Sequence, residues 1–147
     1  MIKFTNILLC DRAYTDRDTG KGIIAGLIHG DVVIPSVPAV INWCFYIMME
    51  GSVESQHPPE FAIFLGGKRY LGAKVPIPPN GRDRHTVIIL PNFSVNIDKS
   101  TTLELRASIN GGKYKSLMKK NIITQTVSKE PAPNAADNEV RLDSEGN

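Results

Sequence analysis

The chain has 147 residues, enough for one domain that buries an apolar core without disulfide staples. A hydrophobic fraction of 41% with 22% charged residues is that of an ordinary globular protein, and the most apolar window, Val40 to Met49, falls well short of the ~18 residues of a membrane-spanning helix. The net charge of +2 divides unevenly: from Ser128 onward two basic residues face five acidic ones, a net −3, which leaves +5 on the rest. Residues 128–147 are too polar and too rich in Pro and Asn to bury a core, so a disordered acidic tail is expected after a domain spanning residues 1–127.

In chain order, Lys3 to Cys10 reads as a first strand, ended by Asp11, and Gly22 to Ile28 as a second between glycines. Pro35 and Pro38 break the stretch from Val32 to Val37, which reads as an edge or crossover piece because proline offers no backbone donor. Val40 to Met49 is the strongest strand. Period two places Ile41, Trp43, Phe45, Ile47 and Met49 on one bulky apolar face. Phe61 to Leu65 and Arg69 to Val75 form a hairpin about Gly66-Gly67, and His85 to Leu90 is a strand closed by Pro91-Asn92.

Thr101 to Ile109 alternates cleanly, with Leu103, Leu105, Ala107 and Ile109 facing in. A two-residue loop at Gly111-Gly112 would set Ile109 opposite Tyr114 and Glu104 opposite Lys119. A last strand is expected from Ile122 to Val127. The pattern is all-β: an antiparallel β-sandwich, immunoglobulin-like or C2-like, of about eight or nine strands, its core built where the Trp43 strand faces the Leu103 strand.

Between the first two strands lies DRAYTDRDTGKG, with three aspartates before Gly20-Lys21. Setting Gly20 at the sixth position of a calcium loop puts Thr15 first and Arg17 third, so that register fails. Asp11, Asp16 and Asp18 could converge at one end of a sandwich, but Arg12, Arg17 and Lys21 neutralise such a site. The phosphate-loop spacing is absent. Turn bonds from the aspartates, with Gly20 at positive φ, are the simpler expectation.

The first strand ending in Asp11, the excursion ending Thr19-Gly20-Lys21, the second strand closing on Gly26, the LPNFSV segment (Leu90 to Val95), the strand LELRASI and the Asn-Gly hairpin together resemble a family of small, uncharacterised bacterial proteins catalogued as a domain of unknown function. The resemblance covers residues 3 to 127 and implies a compact β-sandwich with no catalytic residues to carry over. The acidic tail and the polar KSTTLE approach depart from it.

His29, His57 and His85 lie apart, with no HxH, HxxxH or CxxC spacing, so no metal and no cofactor is expected. Cys10 and Cys44 sit in apolar strands, where buried free thiols, protonated and inert, are the expectation and a disulfide is the alternative that a reducing compartment disfavours; no nucleophile elbow is present. Glu50, Glu54 and Glu60 cluster about one polar loop, where their pKa values would stay ordinary. These absences point to a protein that is not an enzyme. The N-terminus has no cleavage site, so a cytoplasmic location is expected.

Basic residues form three groups: Lys68, Arg69 and Lys74 with Tyr70; Arg82 and Arg84 with His85; and Lys113, Lys115, Lys119 and Lys120 about Tyr114. Lys113 and Lys115 share one strand face in this reading, a basic stripe beside an aromatic that suits single-stranded nucleic acid. With a body charge of only +5, a solvated outer face that keeps the protein soluble is the simpler account of these charges. The expectation is a binding or assembly module, acting through a protein partner or a second copy. Its candidate surfaces are the hairpin Lys113, Tyr114, Lys115, Lys119 and Lys120, the loop carrying Arg82 and Arg84, and the edge near Val32 to Val37. Nucleic-acid binding at the basic hairpin and a calcium-dependent C2-like module are the alternatives.

Overall fold

The structure, a computed structural model, describes residues 2–51, 58–76 and 85–125. Nine strands run in order: β1 (Lys3–Thr15), β2 (Gly22–Leu27), β3 (Val32–Ile34), β4 (Ala39–Glu50), β5 (Glu60–Leu65), β6 (Lys68–Lys74), β7 (His85–Ile97), β8 (Thr101–Ser108) and β9 (Lys115–Thr124). No helix occurs among the described residues, so none there is long and apolar enough to cross a membrane. The tail from Ser128, and with it the boundary at residue 127, lies outside the described residues.

Two sheets form, one of order β2-β1-β4-β7 and one of order β3-β9-β8-β5-β6. Every pairing is antiparallel except β3 with β9, where Val32, Val33 and Ile34 run alongside Ile122, Ile123 and Thr124. Asp31 fixes that junction, its carboxylate accepting from the Asn121 backbone N–H and side-chain amide. One apolar cluster joins the two sheets: Leu9, Trp43, Phe45, Ile47 and Met49 meet Phe61, Leu103, Leu105 and Ala107. Phe45 stacks on Phe93 at 5.4 Å and Phe4 meets Phe61 edge-on at 6.0 Å. Each such ring removes apolar surface worth ~1.5–3 kcal/mol from water.

Several elements differ from the sequence expectations, among them β1, which does not end at Asp11 but runs on to Thr15. β7 does not stop at Pro91-Asn92. It continues to Ile97, because the β4–β7 register shifts between Trp43 and Phe45 and a bulge absorbs the proline at the sheet edge. β9 is one strand from Lys115 to Thr124 rather than a short one starting at Ile122. Its hairpin turns one residue earlier than the glycine pair predicts. Asn110 and Gly111 hold the positive φ values, 54° and 69°, and Gly112 N–H donates to Ile109 O, so Ile109 faces Gly112 and not Tyr114. A register shift between Leu105 and Arg106 then restores Glu104 opposite Lys119.

β1 outruns its partner. Its pairing with β4 ends at Cys10 opposite Cys44, and beyond that point it pairs with β2 alone, to Thr15 opposite Gly22. In a flat sheet Gly22 would lie seven positions along β1 from the level of Tyr46, about 23 Å away. Instead, a methyl group added at Gly22 would come within 2.6 Å of Tyr46 Oη. The β1–β2 hairpin therefore bends past Cys10 and curls back as an arm over the outer face of its own sheet. The bend is where Gly26, at φ +66°, faces Asp11, whose carboxylate fills the space a side chain there would need. Gly22 of the arm covers Tyr46, and Cys10, Cys44 and Tyr46 are all buried yet stand outside the main core cluster.

Candidate binding site

β6 closes one edge of the five-stranded sheet, pairs only with β5, and is exposed at all seven residues. An edge strand offers unsatisfied backbone donors and acceptors to another chain. The sequence of β6 supplies both an apolar and a charged side: Tyr70 and Leu71 are 43% and 47% exposed, with Lys68 and Lys74 at the two ends.

Beside this edge the two sheets part. Phe61, Ile63, Leu71 and Ala73 on one side and Leu90 and Phe93 on the other enclose an apolar cleft of about 120 Å³. The Pro91 bulge of β7 forms part of its wall, and the Tyr70 hydroxyl links the two sheets by donating to Ser94 O at 2.8 Å. A volume of this kind accepts one or two aliphatic side chains and repels charge.

On the outer face of the same sheet lies a second, polar layer. Arg69 runs back along β6 over Gly72 and meets Glu60 at 2.6 Å; any side chain at position 72 would collide with the guanidinium. Arg69 also sits 5.7 Å from the centre of the Tyr114 ring, Tyr114 meets Phe64 edge-on, and Arg106 stacks over Phe64 at 4.1 Å while pairing with Glu104 at 2.6 Å. The enclosed Tyr114 hydroxyl beside Glu60 and the Arg69 guanidinium hold the Glu60 carboxyl below its ordinary range. Arg106 does the same for Glu104, and burial raises the Tyr114 phenol. The layer is internally neutralised and covers Ala62, which is fully buried on this outer face.

The basic hairpin does not gather into one stripe. Lys113 lies in the turn, ahead of β9. Lys115 stands opposite Ala107, on the core side, while Lys119 stands opposite Glu104, on the outer side. Lys120 donates to Gly30 O at 2.6 Å and so ties β9 to the loop before β3. Tyr114 belongs to the Arg69–Phe64 layer. Arg82 and Arg84 lie outside the described residues, as do His57 and Glu54. His85 Nδ1 is 3.7 Å from Glu50, on the far half of β7.

At the tip of the arm, Asp16 accepts from the backbone N–H of Asp18 and Thr19 at 2.9 and 2.8 Å, which lowers its pKa, and Gly20 takes a φ of +67°. The aspartate is spent on its own turn. Among the described residues no three His, Cys, Asp or Glu side chains are grouped to hold a metal ion. The edge strand with its cleft is the feature that sequence reading missed. Its only local signal was the run Lys68-Arg69-Tyr70-Leu71, where bulky apolar residues continue into a charged strand with no alternation to bury them. No protein-family model and no curated protein matches the chain.

Proposed function

We propose that this protein is a non-catalytic binding module that takes up an extended segment of a partner protein along β6, with an apolar side chain of that segment seated in the adjoining cleft. The observation that carries this reading is the coincidence of a wholly exposed edge strand with an apolar cleft between the sheets. Backbone pairing supplies affinity in such an arrangement, and the cleft supplies specificity.

Charge favours a foreign segment over a second copy. A second copy would bring a strand carrying the same Lys68, Arg69 and Lys74 cations alongside this one, and the bulge at Tyr70 interrupts the regular ladder the two would form. An apolar residue flanked by acidic ones complements the same edge. Nucleic acid is less well served, because Phe64 and Tyr114 already carry Arg106 and Arg69 against their rings and Lys115 and Lys119 face opposite ways. A calcium-dependent role draws no support from an Asp16 engaged with backbone amides.

Within this reading the two sheets form a β-sandwich of the immunoglobulin-like or C2-like kind, and the chain belongs with the uncharacterised bacterial family that its turns and strand starts resemble. Its free, buried thiols support a reducing, cytoplasmic setting. The test is fluorescence anisotropy with a labelled peptide that places one leucine between glutamates. The wild type should bind. Leu71→Asp, at the mouth of the cleft, should abolish binding, and joint charge reversal at Lys68 and Lys74 should weaken it at low salt. Binding that survives Leu71→Asp, with the variant's near-UV spectrum unchanged, would reject the site.

A further inference from the structure

The chain has two cysteines, and the register makes them partners. Cys10 and Cys44 stand directly opposite in the antiparallel β1–β4 ladder, where facing Cα atoms are ~4.5–5.5 Å apart. That separation lies inside the ~4.4–6.8 Å that a disulfide spans. Both thiols point to the outer side of the sheet, are 0% and 1% exposed, and approach to 3.2 Å between sulfurs. Cys10 is also the last residue of β1 to pair with β4 before the strand bends into the arm. A bond between these sulfurs would be made at the root of the arm, and the cleft beside β6 makes no use of either.

We propose that Cys10 and Cys44 are a redox-responsive pair, closed by a low-molecular-weight disulfide such as oxidised glutathione into a cross-strand disulfide that fixes the root of the arm to the sheet. One cysteine loses its proton to solvent and its thiolate attacks the oxidant, forming a mixed disulfide and releasing one glutathione thiolate. The second cysteine, deprotonated in turn, attacks the protein sulfur of that mixed disulfide and releases the other glutathione. Two S–H bonds are lost, one S–S bond forms in the protein, and the oxidant is reduced by two electrons to two thiols.

Closure is gated by the arm. While the arm is down, burial first, and the facing Cys44 second, push the Cys10 thiol up to about 12, so it carries almost no thiolate at neutral pH. Lifting the hairpin, whose hold includes the seat of the Tyr46 phenol on Gly22, exposes both sulfurs to solvent together. In a reducing compartment such a pair stays open and responds to oxidant, the usual behaviour of cytosolic disulfides.

The experiment incubates the reduced full-length protein with oxidised glutathione, then reads intact mass, maleimide labelling after unfolding, and amide hydrogen exchange of residues 11–27. The expected product is a monomer lighter by two hydrogens, with both thiols blocked to maleimide and exchange in the arm slowed several-fold. Gly22→Val, which displaces Tyr46, should speed closure, and Cys44→Ser should stop at a stable glutathione adduct on Cys10. Covalent dimers, a persistent mixed disulfide in the wild type, or thiols that stay reduced even in denaturant sufficient to open the arm would each overturn the proposal. So would a disulfide that leaves exchange of the arm unchanged.

Discussion

Trp43, Phe45 and Ile47 are the side chains on which both sheets converge, each at most 1% exposed. Truncating Trp43 to alanine leaves a cavity that the flanking strands cannot collapse to fill, and urea unfolding should report a loss of about 3–5 kcal/mol. At the other extreme, Gly72→Val strikes the Arg69 guanidinium and separates it from Glu60. The pair is half-exposed, so thermal unfolding should change little, and the diagnostic is a rise of the Glu60 pKa toward ordinary carboxylate values in an NMR titration. Cys10 sets a pH dependence on the alkaline side. Its thiol is raised from 9.0 to about 12 in the fold, so its contribution is fully present below pH 9 and is lost as pH climbs toward 12. The melting temperature of the wild type should therefore fall more steeply over that window than that of Cys10→Ala.

Among the elements, β4 and β8 were legible because their alternation is set by burial on one face: Trp43, Phe45, Ile47 and Met49 against Leu103, Leu105 and Ala107. The 66–67 hairpin was legible as well, since both glycines take positive φ, 56° and 78°. What local pattern could not carry was the second burial of β4. Period two puts Tyr46 on the face opposite Trp43, yet it is buried because Gly22, from the β1–β2 hairpin, curls against it, and Cys44, read from its apolar strand as a buried thiol, is buried on that same face. Pro91 misled for a related reason. A proline ends a central strand, but β7 is an edge and tolerates the bulge. The Arg69–Tyr114–Phe64 layer joins residues from three separate segments, so its members looked like independent surface charges. At this scale the account predicts that Gly22→Val frees the arm: exchange of backbone amides in residues 11–27 should quicken, while β4 and β8 remain protected.

For the whole molecule, the two sheets leave four edge strands, β2 and β7 in one and β3 and β6 in the other, and these are not equivalent. β3 is three residues long, β7 carries Pro91, and β2 is bent at Gly26. β6 is seven residues long and exposed throughout, with one bulge at Tyr70, and it is the one bordered by a cleft. Like charges at its ends oppose self-pairing, so the protein at high concentration should remain monomeric in light scattering through this edge, in contrast to the self-assembly that an unprotected strand invites. The most direct measurement of the central claim is amide hydrogen exchange of the full chain with and without a saturating peptide that carries leucine between glutamates. The account predicts selective slowing at Lys68–Lys74, with perturbation of Phe93 across the cleft. Unchanged exchange along β6, or protection confined to the hairpin about Lys113 to Lys120, would contradict it.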